Sequence, residues 1–153
     1  MHFDHSLLYL SQLKLLIMYP AELVKPMRED LTSVGFVELT NPDEVNSQVP
    51  NSETAVLIVN SVCGCAAANA RPGVKSSLIN DKKPVKLFTV FAGVDKEATD
   101  AARKLMIPFH PSSPCIAIFK DGDLVHMLER HHIEGRSAEI ISENLKQAYD
   151  QFC

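Results

Sequence analysis

The stretch Thr54-Ala-Val-Leu-Ile-Val-Asn60, continued by Ser61-Val-Cys-Gly-Cys65 and Ala66-Ala-Ala-Asn-Ala70, indicates how this chain folds. A run of apolar and β-branched residues that ends in a turn is typical of a buried strand. The alanine-rich run predicts the first turns of a helix, because alanine has the highest helix propensity. Two cysteines separated by one glycine are therefore expected at a strand-to-helix junction.

The position of Cys63 and Cys65 points to thiol chemistry. A helix begins with backbone N–H groups that have no partner within the helix, and its dipole favours negative charge there. A thiol in such a place should ionise more readily than a free cysteine, whose pKa is about 8.5. Because the thiolate is the form that attacks disulfides, the junction is the candidate active site.

The composition argues against several classes of function. The 153 residues are 46% hydrophobic and 22% charged, which suits one domain with a full core. A net charge of −4 without a basic cluster argues against nucleic acid as the main partner. No apolar run approaches the roughly 20 residues that span a membrane. A close cysteine pair, with Cys115 and Cys153 scattered, does not fit a secreted disulfide scaffold, so a cytoplasmic location is expected.

Residues 1–17 are rich in leucine but do not fit a signal peptide, since they have no positively charged start and no small-residue cleavage site. Two interpretations remain open. The segment is an extra amphipathic helix, or it is an N-terminal extension upstream of a true start at Met18. We favour the extension, and we expect residues 18–153 to form a single domain.

The rest of the chain alternates strands with helices, which predicts an α/β fold with a central mixed sheet and helices on both faces. The predicted strands are residues 36–40, 54–60, 85–91, 115–119 and 124–128. Helices between strands imply parallel pairing. Asp121-Gly122 is a strong two-residue hairpin signal, which adds an antiparallel strand at the edge.

Capping and helix-breaking residues predict the helix boundaries. Asn41, Asp95 and Ser137 are expected to cap helices. Pro26 falls inside the first helical pattern, so that helix either starts late or kinks. Pro72-Gly73 should kink or break the helix after the cysteines. The last helix is expected to bury one face, formed by Ile140, Ile141, Leu145, Ala148, Tyr149 and Phe152.

The Ser113-Pro114 step precedes the fourth predicted strand. In thioredoxin-like proteins, a cis-proline at this position lies against the active-site cysteines, and the backbone of its neighbour pairs with bound peptide. Cis bonds cost little only before proline, so a cis bond is predicted here. The alternative is an ordinary trans proline that opens a strand.

Several strings of the sequence resemble the bacilliredoxin family over residues 18–153. They are Tyr19-Pro20, Pro26-Met-Arg-Glu29, Val59-Asn-Ser-Val-Cys-Gly-Cys-Ala66, Ser112-Ser-Pro114, Lys120-Asp-Gly-Asp-Leu-Val-His126 and His132-Ile-Glu-Gly-Arg136. The resemblance implies a thioredoxin-like three-layer sandwich that removes bacillithiol from mixed disulfides on cytosolic proteins. It implies no metal and no tightly bound organic cofactor, with bacillithiol as co-substrate. We expect a monomer.

The resemblance also implies roles for residues at the junction. Cys63 would attack the bacillithiol sulfur of a mixed disulfide and release the protein thiol. Cys65, or a second bacillithiol, would then resolve the adduct. Gly64 would let the backbone fold closely enough for a Cys63–Cys65 bridge. Ser113-Pro114 would position the substrate.

Other functions remain open at this stage. The cysteines could bind zinc or copper(I) together with His131-His132, or they could be inert core residues. Within exchange chemistry, the alternative is reshuffling of disulfides in the manner of a protein disulfide isomerase.

Several further residues have two open interpretations each. Asn60 is expected to help position the substrate; with Ser61 it could hydrogen-bond near the thiolate or only cap the loop. Cys115 could face the core, which we favour, or offer a third thiol near the site. Cys153 is expected to be frayed. The remaining candidates could serve bacillithiol carboxylates or proton transfer, although a solvated surface role is favoured for each: Arg71, Arg130, Arg136, His126, His131 and His132.

Overall fold

The computed structural model describes residues 19–153, which are organised around a five-stranded mixed sheet. The strands are β1 (Val37–Glu38), β2 (Thr54–Asn60), β3 (Lys86–Phe91), β4 (Cys115–Lys120) and β5 (Asp123–Leu128), in the spatial order β1-β3-β2-β4-β5. β1 and β2 pair with β3 in parallel, and β4 is antiparallel to β2 and β5. The mixed sheet is confirmed; the expectations for residues 1–17 lie outside the described residues.

In the described part of the chain, six α-helices cover both faces of the sheet. They are α1 (Ala21–Thr32), α2 (Pro42–Gln48), α3 (Arg71–Ser77), α4 (Lys96–Leu105), α5 (Arg130–Ile133) and α6 (Ala138–Phe152). Because side chains of a strand alternate between faces, β2 contributes to two cores. Leu57 packs with residues of α2 and α4, and Ile58 packs with residues of α1, α3 and α6. The three-layer α/β architecture is therefore as predicted. None of the helices in this part of the chain is long and apolar enough to cross a membrane.

The direction of β4 differs from the prediction. A helix separates β3 from β4, which predicts a parallel strand, yet Cys115 at the start of β4 pairs with Val59 near the end of β2. The nine residues 106–114 bring the chain from the end of α4 to the edge where β2 ends. This reversal places the Ser113-Pro114 step next to the cysteines.

Two of the three predicted caps are present. The side chains of Asn41 and Ser137 accept the backbone N–H groups of Glu44 and Ile140. Asp95 occupies the predicted N-cap position of α4, but its side chain makes no cap hydrogen bond. Its carboxylate instead accepts a hydrogen bond from Arg28 at 2.8 Å. A charge-assisted bond to a half-buried guanidinium outweighs a cap at this position.

Neither Pro26 nor Pro72 ends the helical segment in which it lies. α1 runs through Pro26 without a late start. The chain also stays helical past Pro72, with a π-helical turn at Ala66–Ala70 directly before α3. Within that turn, the N–H of Arg71 bonds to the carbonyl of Ala66, five residues back. Since Pro72 has no N–H to donate, a change of hydrogen-bond pattern replaces the break.

Two smaller expectations also need correction. The predicted strand at residues 36–40 is limited to Val37–Glu38. Ile140 is 55% exposed and does not lie on the buried face of α6, whereas Ile141, Leu145, Ala148 and Tyr149 are buried there. Successive residues of a helix point about 100° apart, so Ile140 faces solvent next to the buried Ile141.

Gly73 sets how closely α3 approaches α6, so Gly73→Ala is expected to destabilise the protein. A Cβ at this position would lie 2.6 Å from Cγ2 of Ile141. Because Ile141 is buried, relieving this overlap requires the helices to separate, at a cost of about 1–3 kcal/mol that exceeds the gain in helix propensity. Urea denaturation measures the free energy of unfolding. Ser76→Ala, at an exposed position on the same helix, is the control; equal stability of the two variants would contradict the expected overlap.

Candidate active site

The cysteine pair lies where β2 gives way to the helical segment, as the sequence predicts. β2 ends at Asn60, and the carbonyl of Cys63 accepts the first helical hydrogen bonds, from the N–H groups of Ala66 at 3.0 Å and Ala67 at 3.2 Å. Both Cys63 and Cys65 are half-buried. Cys63 therefore occupies the start of a helix with its sulfur partly accessible.

Asn60 and Ser61 fix the loop that carries Cys63. The side-chain amide of Asn60 donates to the carbonyl of Met27 at 3.0 Å, and its oxygen accepts from the N–H of Ser61 at 2.9 Å and from Arg71 at 3.0 Å. The hydroxyl of Ser61 accepts the N–H of Cys63 at 3.2 Å. The hydrogen bonds of Asn60 cap the loop, and its role in positioning substrate stays a prediction.

Arg71 has neither of its expected roles. It is 5% exposed, so it is not a solvated surface residue and does not face the pocket beside Cys63. Its guanidinium donates to Asp30 at 3.0 Å and to the carbonyl of Ser61 at 3.1 Å. Burial opposes ionisation of Asp30, but hydrogen bonds from Lys75 and Arg71 outweigh it and lower the pKa of that carboxyl. Arg71 thus connects α1 to residues 61–63, the loop that carries Cys63 and is called the catalytic loop below.

The surroundings shift the pKa values of the two thiols in opposite directions. A hydrogen bond from the Cys65 thiol, the backbone N–H of Cys65, the charge of Arg130 and the N–H of Ala66 lower the pKa of Cys63 against the effect of burial. Burial raises the pKa of Cys65, and the adjacent Cys63 raises it further. Cys63 is therefore the thiol that ionises first, which agrees with its predicted role as nucleophile.

Arg130 contacts Cys63 directly, although the sequence favours a solvated surface role for it. Its guanidinium donates to the sulfur of Cys63 at 3.4 Å and to the carbonyl of Ser113 at 3.2 Å, and its Nε faces Glu134 at 3.3 Å. Arg130 lies 67 residues after Cys63, at the start of the short helix α5. Nothing local in the sequence indicates this contact, because the antiparallel hairpin of β4 and β5 is what brings α5 to the site.

The Ser113-Pro114 peptide bond is cis, as the sequence predicts. Its position directly before β4 places it beside the end of β2, and Ser113 shares a pocket of about 390 Å³ with Cys63 and Arg130. The role of both residues in positioning substrate stays a prediction. Gly64 is in a conformation outside the left-handed region, and a Cβ there would meet no atom within 4 Å. A glycine is therefore not sterically required in this unbridged form.

The two remaining cysteines lie apart from this chemistry. Cys115 is buried with its sulfur 3.8 Å from that of Met106, and burial raises the pKa of Cys115 to about 12. The core interpretation therefore holds for Cys115. Cys153 is exposed, but it is not frayed as expected, because its N–H bonds to the carbonyl of Tyr149 at 2.8 Å.

The histidines are not brought to the cysteines. His132 accepts the N–H of Glu129 at 3.0 Å, and the ring of His126 bonds to Asn144 at 2.7 Å. Within residues 19–153, His131 and His132 group with Glu129 at metal-ligand distances, and neither cysteine belongs to that group. The joint cysteine–histidine metal site considered from the sequence is thus not assembled. Arg136 lies in a separate groove with Leu128 and His132 and does not line the pocket beside Cys63.

Replacing Arg130 with glutamine is expected to raise the pKa of Cys63, because a positive charge that favours the thiolate is lost. Below the pKa, the rate of alkylation by iodoacetamide should fall by about two- to fivefold, the range for exposed charge pairs, and the difference should shrink in high salt. The pH profile of alkylation measures this shift. Arg136→Gln removes the same charge from another groove and should leave the profile unchanged; an identical shift in both variants would refute the direct contact.

Comparisons with known proteins agree with this geometry. The family model described as "Disulphide isomerase" matches residues 19–153. A bacilliredoxin of Cytophaga hutchinsonii is 56% identical over 134 residues, which cover 88% of this chain and 99% of the relative. A bacilliredoxin of Salinibacter ruber is 47% identical over 138 residues, covering 88% of this chain and 81% of the relative.

Solved structures support the fold. Oxidised mitochondrial thioredoxin 3 from Saccharomyces cerevisiae superimposes with a TM-score of 0.54 at 19% identity. The match covers 80% of this chain and 98% of that thioredoxin. At this level of identity the likeness concerns the fold alone, which is thioredoxin-like as expected from the sequence.

Proposed function

Because this chain belongs to the bacilliredoxin family, we propose that it removes bacillithiol from mixed disulfides on cytosolic proteins. The general activity, of which this reaction is one case, is that of a thiol–disulfide oxidoreductase. The observation that carries the proposal is the environment of Cys63, where a hydrogen bond from the Cys65 thiol and helix N–H groups lower the pKa, and the guanidinium of Arg130 donates to the sulfur at 3.4 Å. That arrangement increases the thiolate fraction of Cys63 relative to a free cysteine.

The proposed reaction begins with attack by the Cys63 thiolate on the bacillithiol sulfur of the mixed disulfide. The old S–S bond breaks, a Cys63–bacillithiol disulfide forms, and the protein leaves as a thiolate that takes up a proton. Cys65 then loses its proton and attacks the sulfur of Cys63. This step releases bacillithiol as a thiolate, so that the substrate is reduced and the cysteine pair is oxidised by two electrons.

The proposal needs no resident metal or organic cofactor, since the electrons come from the cysteine pair. A second bacillithiol could attack the adduct instead of Cys65, which would produce bacillithiol disulfide and regenerate the Cys63 thiol. In either route bacillithiol is a co-substrate. The protein would act as a monomer in the cytoplasm, where thiol pools keep such pairs reduced.

Disulfide isomerisation is the second candidate function, and the description of the matching family model favours it. An isomerase exchanges disulfides within one protein and needs no bacillithiol. Reactivation of a scrambled disulfide protein in the absence of bacillithiol would support this function. The same Cys63 thiolate would start both reactions, so only the substrate distinguishes them.

Intact-mass spectrometry of the Cys65→Ser variant tests the proposal. After mixing with a bacillithiolated protein, we expect a bacillithiol adduct on Cys63 and one freed substrate thiol for each adduct. A glutathionylated copy of the same substrate, run in parallel, measures selectivity. If Cys63 alkylates readily but forms no bacillithiol adduct, de-bacillithiolation is refuted and exchange with another partner takes its place.

A further inference from the structure

Arg103 is a positively charged residue beside Cys63 that has no role in the proposed exchange reaction. It lies in the last turn of α4 and lines the same pocket as Cys63 and Arg130. Its Nε is buried and has no hydrogen-bond partner within residues 19–153. Arg28, Arg71 and Arg130 each pair with a carboxylate, whereas Arg103 forms no ion pair in the described part of the chain.

The pocket around Arg103 has the character of an anion site. Two guanidinium groups line it, and none of its described lining residues is acidic. Because Arg103 forms no ion pair within residues 19–153, a carboxylate in the pocket can pair with its guanidinium without displacing another acid. The planar fork of arginine matches the two oxygens of a carboxylate. The volume of about 390 Å³ falls within the range of small-molecule sites and is small for a folded partner.

We propose that Arg103, together with Arg130, binds carboxylate groups of the low-molecular-weight thiol that becomes disulfide-linked to Cys63. This inference rests on the proposed attack by Cys63. It adds which side chains would make the reaction selective among low-molecular-weight thiols. The preferred co-substrates are thiols that carry carboxylates, of which bacillithiol is one. Disulfides of neutral or cationic thiols of similar size react more slowly with Cys63, because they bring no carboxylate to the two guanidinium groups of the pocket.

The experiment compares Arg103→Gln with the parent protein, both in the Cys65→Ser background so that only the first attack is measured. Two small symmetric disulfides serve as probes: dithiodiglycolate, which carries carboxylates, and cystamine, which carries amines. A carrier protein labelled with bacillithiol is the third probe. For dithiodiglycolate and bacillithiol, the second-order rate constant of adduct formation on Cys63 should fall about 10- to 100-fold, the range for hydrogen bonds to charged groups. For cystamine it should change by less than about twofold.

Lys104→Gln is the matched control, because Lys104 is an exposed neighbour with the same charge on the same helix. It should leave all three rates within about twofold of the parent, as expected for a solvated charge. An equal loss with all three probes in Arg103→Gln would overturn the inference and assign Arg103 to the fold or to the reactivity of Cys63. Unchanged rates with both carboxylate probes would overturn it as well. A loss confined to the carrier protein, equal when bacillithiol or cysteamine labels it, would assign Arg103 to an acidic surface of the partner.

The small disulfides keep this test independent of the proposed function. If the parent protein forms no adduct with bacillithiol, de-bacillithiolation fails, and the ratio of the dithiodiglycolate and cystamine rates still decides the role of Arg103. Competition by free malate on the parent protein is a measurement that needs no variant. Malate should slow the reaction with dithiodiglycolate, and its uncharged diamide at the same concentration should not; equal effects of the two compounds would contradict a carboxylate site.

Discussion

Replacing Cys63 with serine is expected to lower the rate of disulfide exchange by more than about a thousandfold, the scale on which enzymes lose activity with their nucleophile. A serine hydroxyl does not ionise near neutral pH, so the helix N–H groups and Arg130 have no thiolate to stabilise. An intact-mass time course of substrate thiol release measures the loss. The folded state should persist, because Cys63 is half-buried and lies outside both hydrophobic cores.

Cys65→Ser is the matched variant, and its expected behaviour is different. The first attack should remain, with release of one equivalent of substrate thiol, and turnover should then stop at the Cys63 adduct. Free bacillithiol should restart it by resolving the adduct. Burial raises the pKa of Cys65, which suits a thiol that is protonated during the first attack. A burst in Cys63→Ser and none in Cys65→Ser would reverse the two roles.

The elements around the cysteines could be predicted because their signals are local. All seven residues of β2 are buried, and the apolar run indicates this directly. The alanine-rich helix start and the Asp121-Gly122 hairpin are equally local signals, and so is the proline at Ser113-Pro114. The cis bond required knowledge of thioredoxin-like folds, since sequence alone leaves trans open.

The charged residues of the site could not be predicted, because their roles depend on how distant elements meet. Arg130 reaches Cys63 through the β4–β5 hairpin, and Arg103 reaches the same pocket from the end of α4. Both resemble solvated surface arginines in the sequence. Arg71 looks like an exposed residue of a small-residue helix, yet α1 covers it and supplies its partner Asp30. Long-range ion pairs have no periodic pattern, so they appear only once the sheet order is known.

The second large expected effect is a loss of stability when Arg71, which donates to the carbonyl of Ser61 in the catalytic loop, is replaced. Arg71→Met is expected to lower the free energy of unfolding by about 2–3 kcal/mol, because it removes the buried partner of the half-buried Asp30 and the donor to the carbonyl of Ser61. Methionine keeps much of the side-chain length, so packing changes little. The oxygen of Asn60 keeps one hydrogen bond, from the N–H of Ser61. Urea denaturation with linear extrapolation measures the loss.

Lys75→Met is the control, because it also removes a positive charge that pairs with Asp30 but leaves the hydrogen bond to the carbonyl of Ser61 intact. Lys75 also pairs with Asp30, at 2.6 Å, but the two side chains are 33% and 34% exposed, so its removal should cost about 1 kcal/mol or less. The two variants should also differ at the active site. In Arg71→Met the loop of Ser61 loses its support, and the pH profile of Cys63 alkylation should shift, whereas in Lys75→Met it should match the wild type. Equal stability losses and unchanged profiles would mean that Arg71 only neutralises Asp30 and does not hold the catalytic loop.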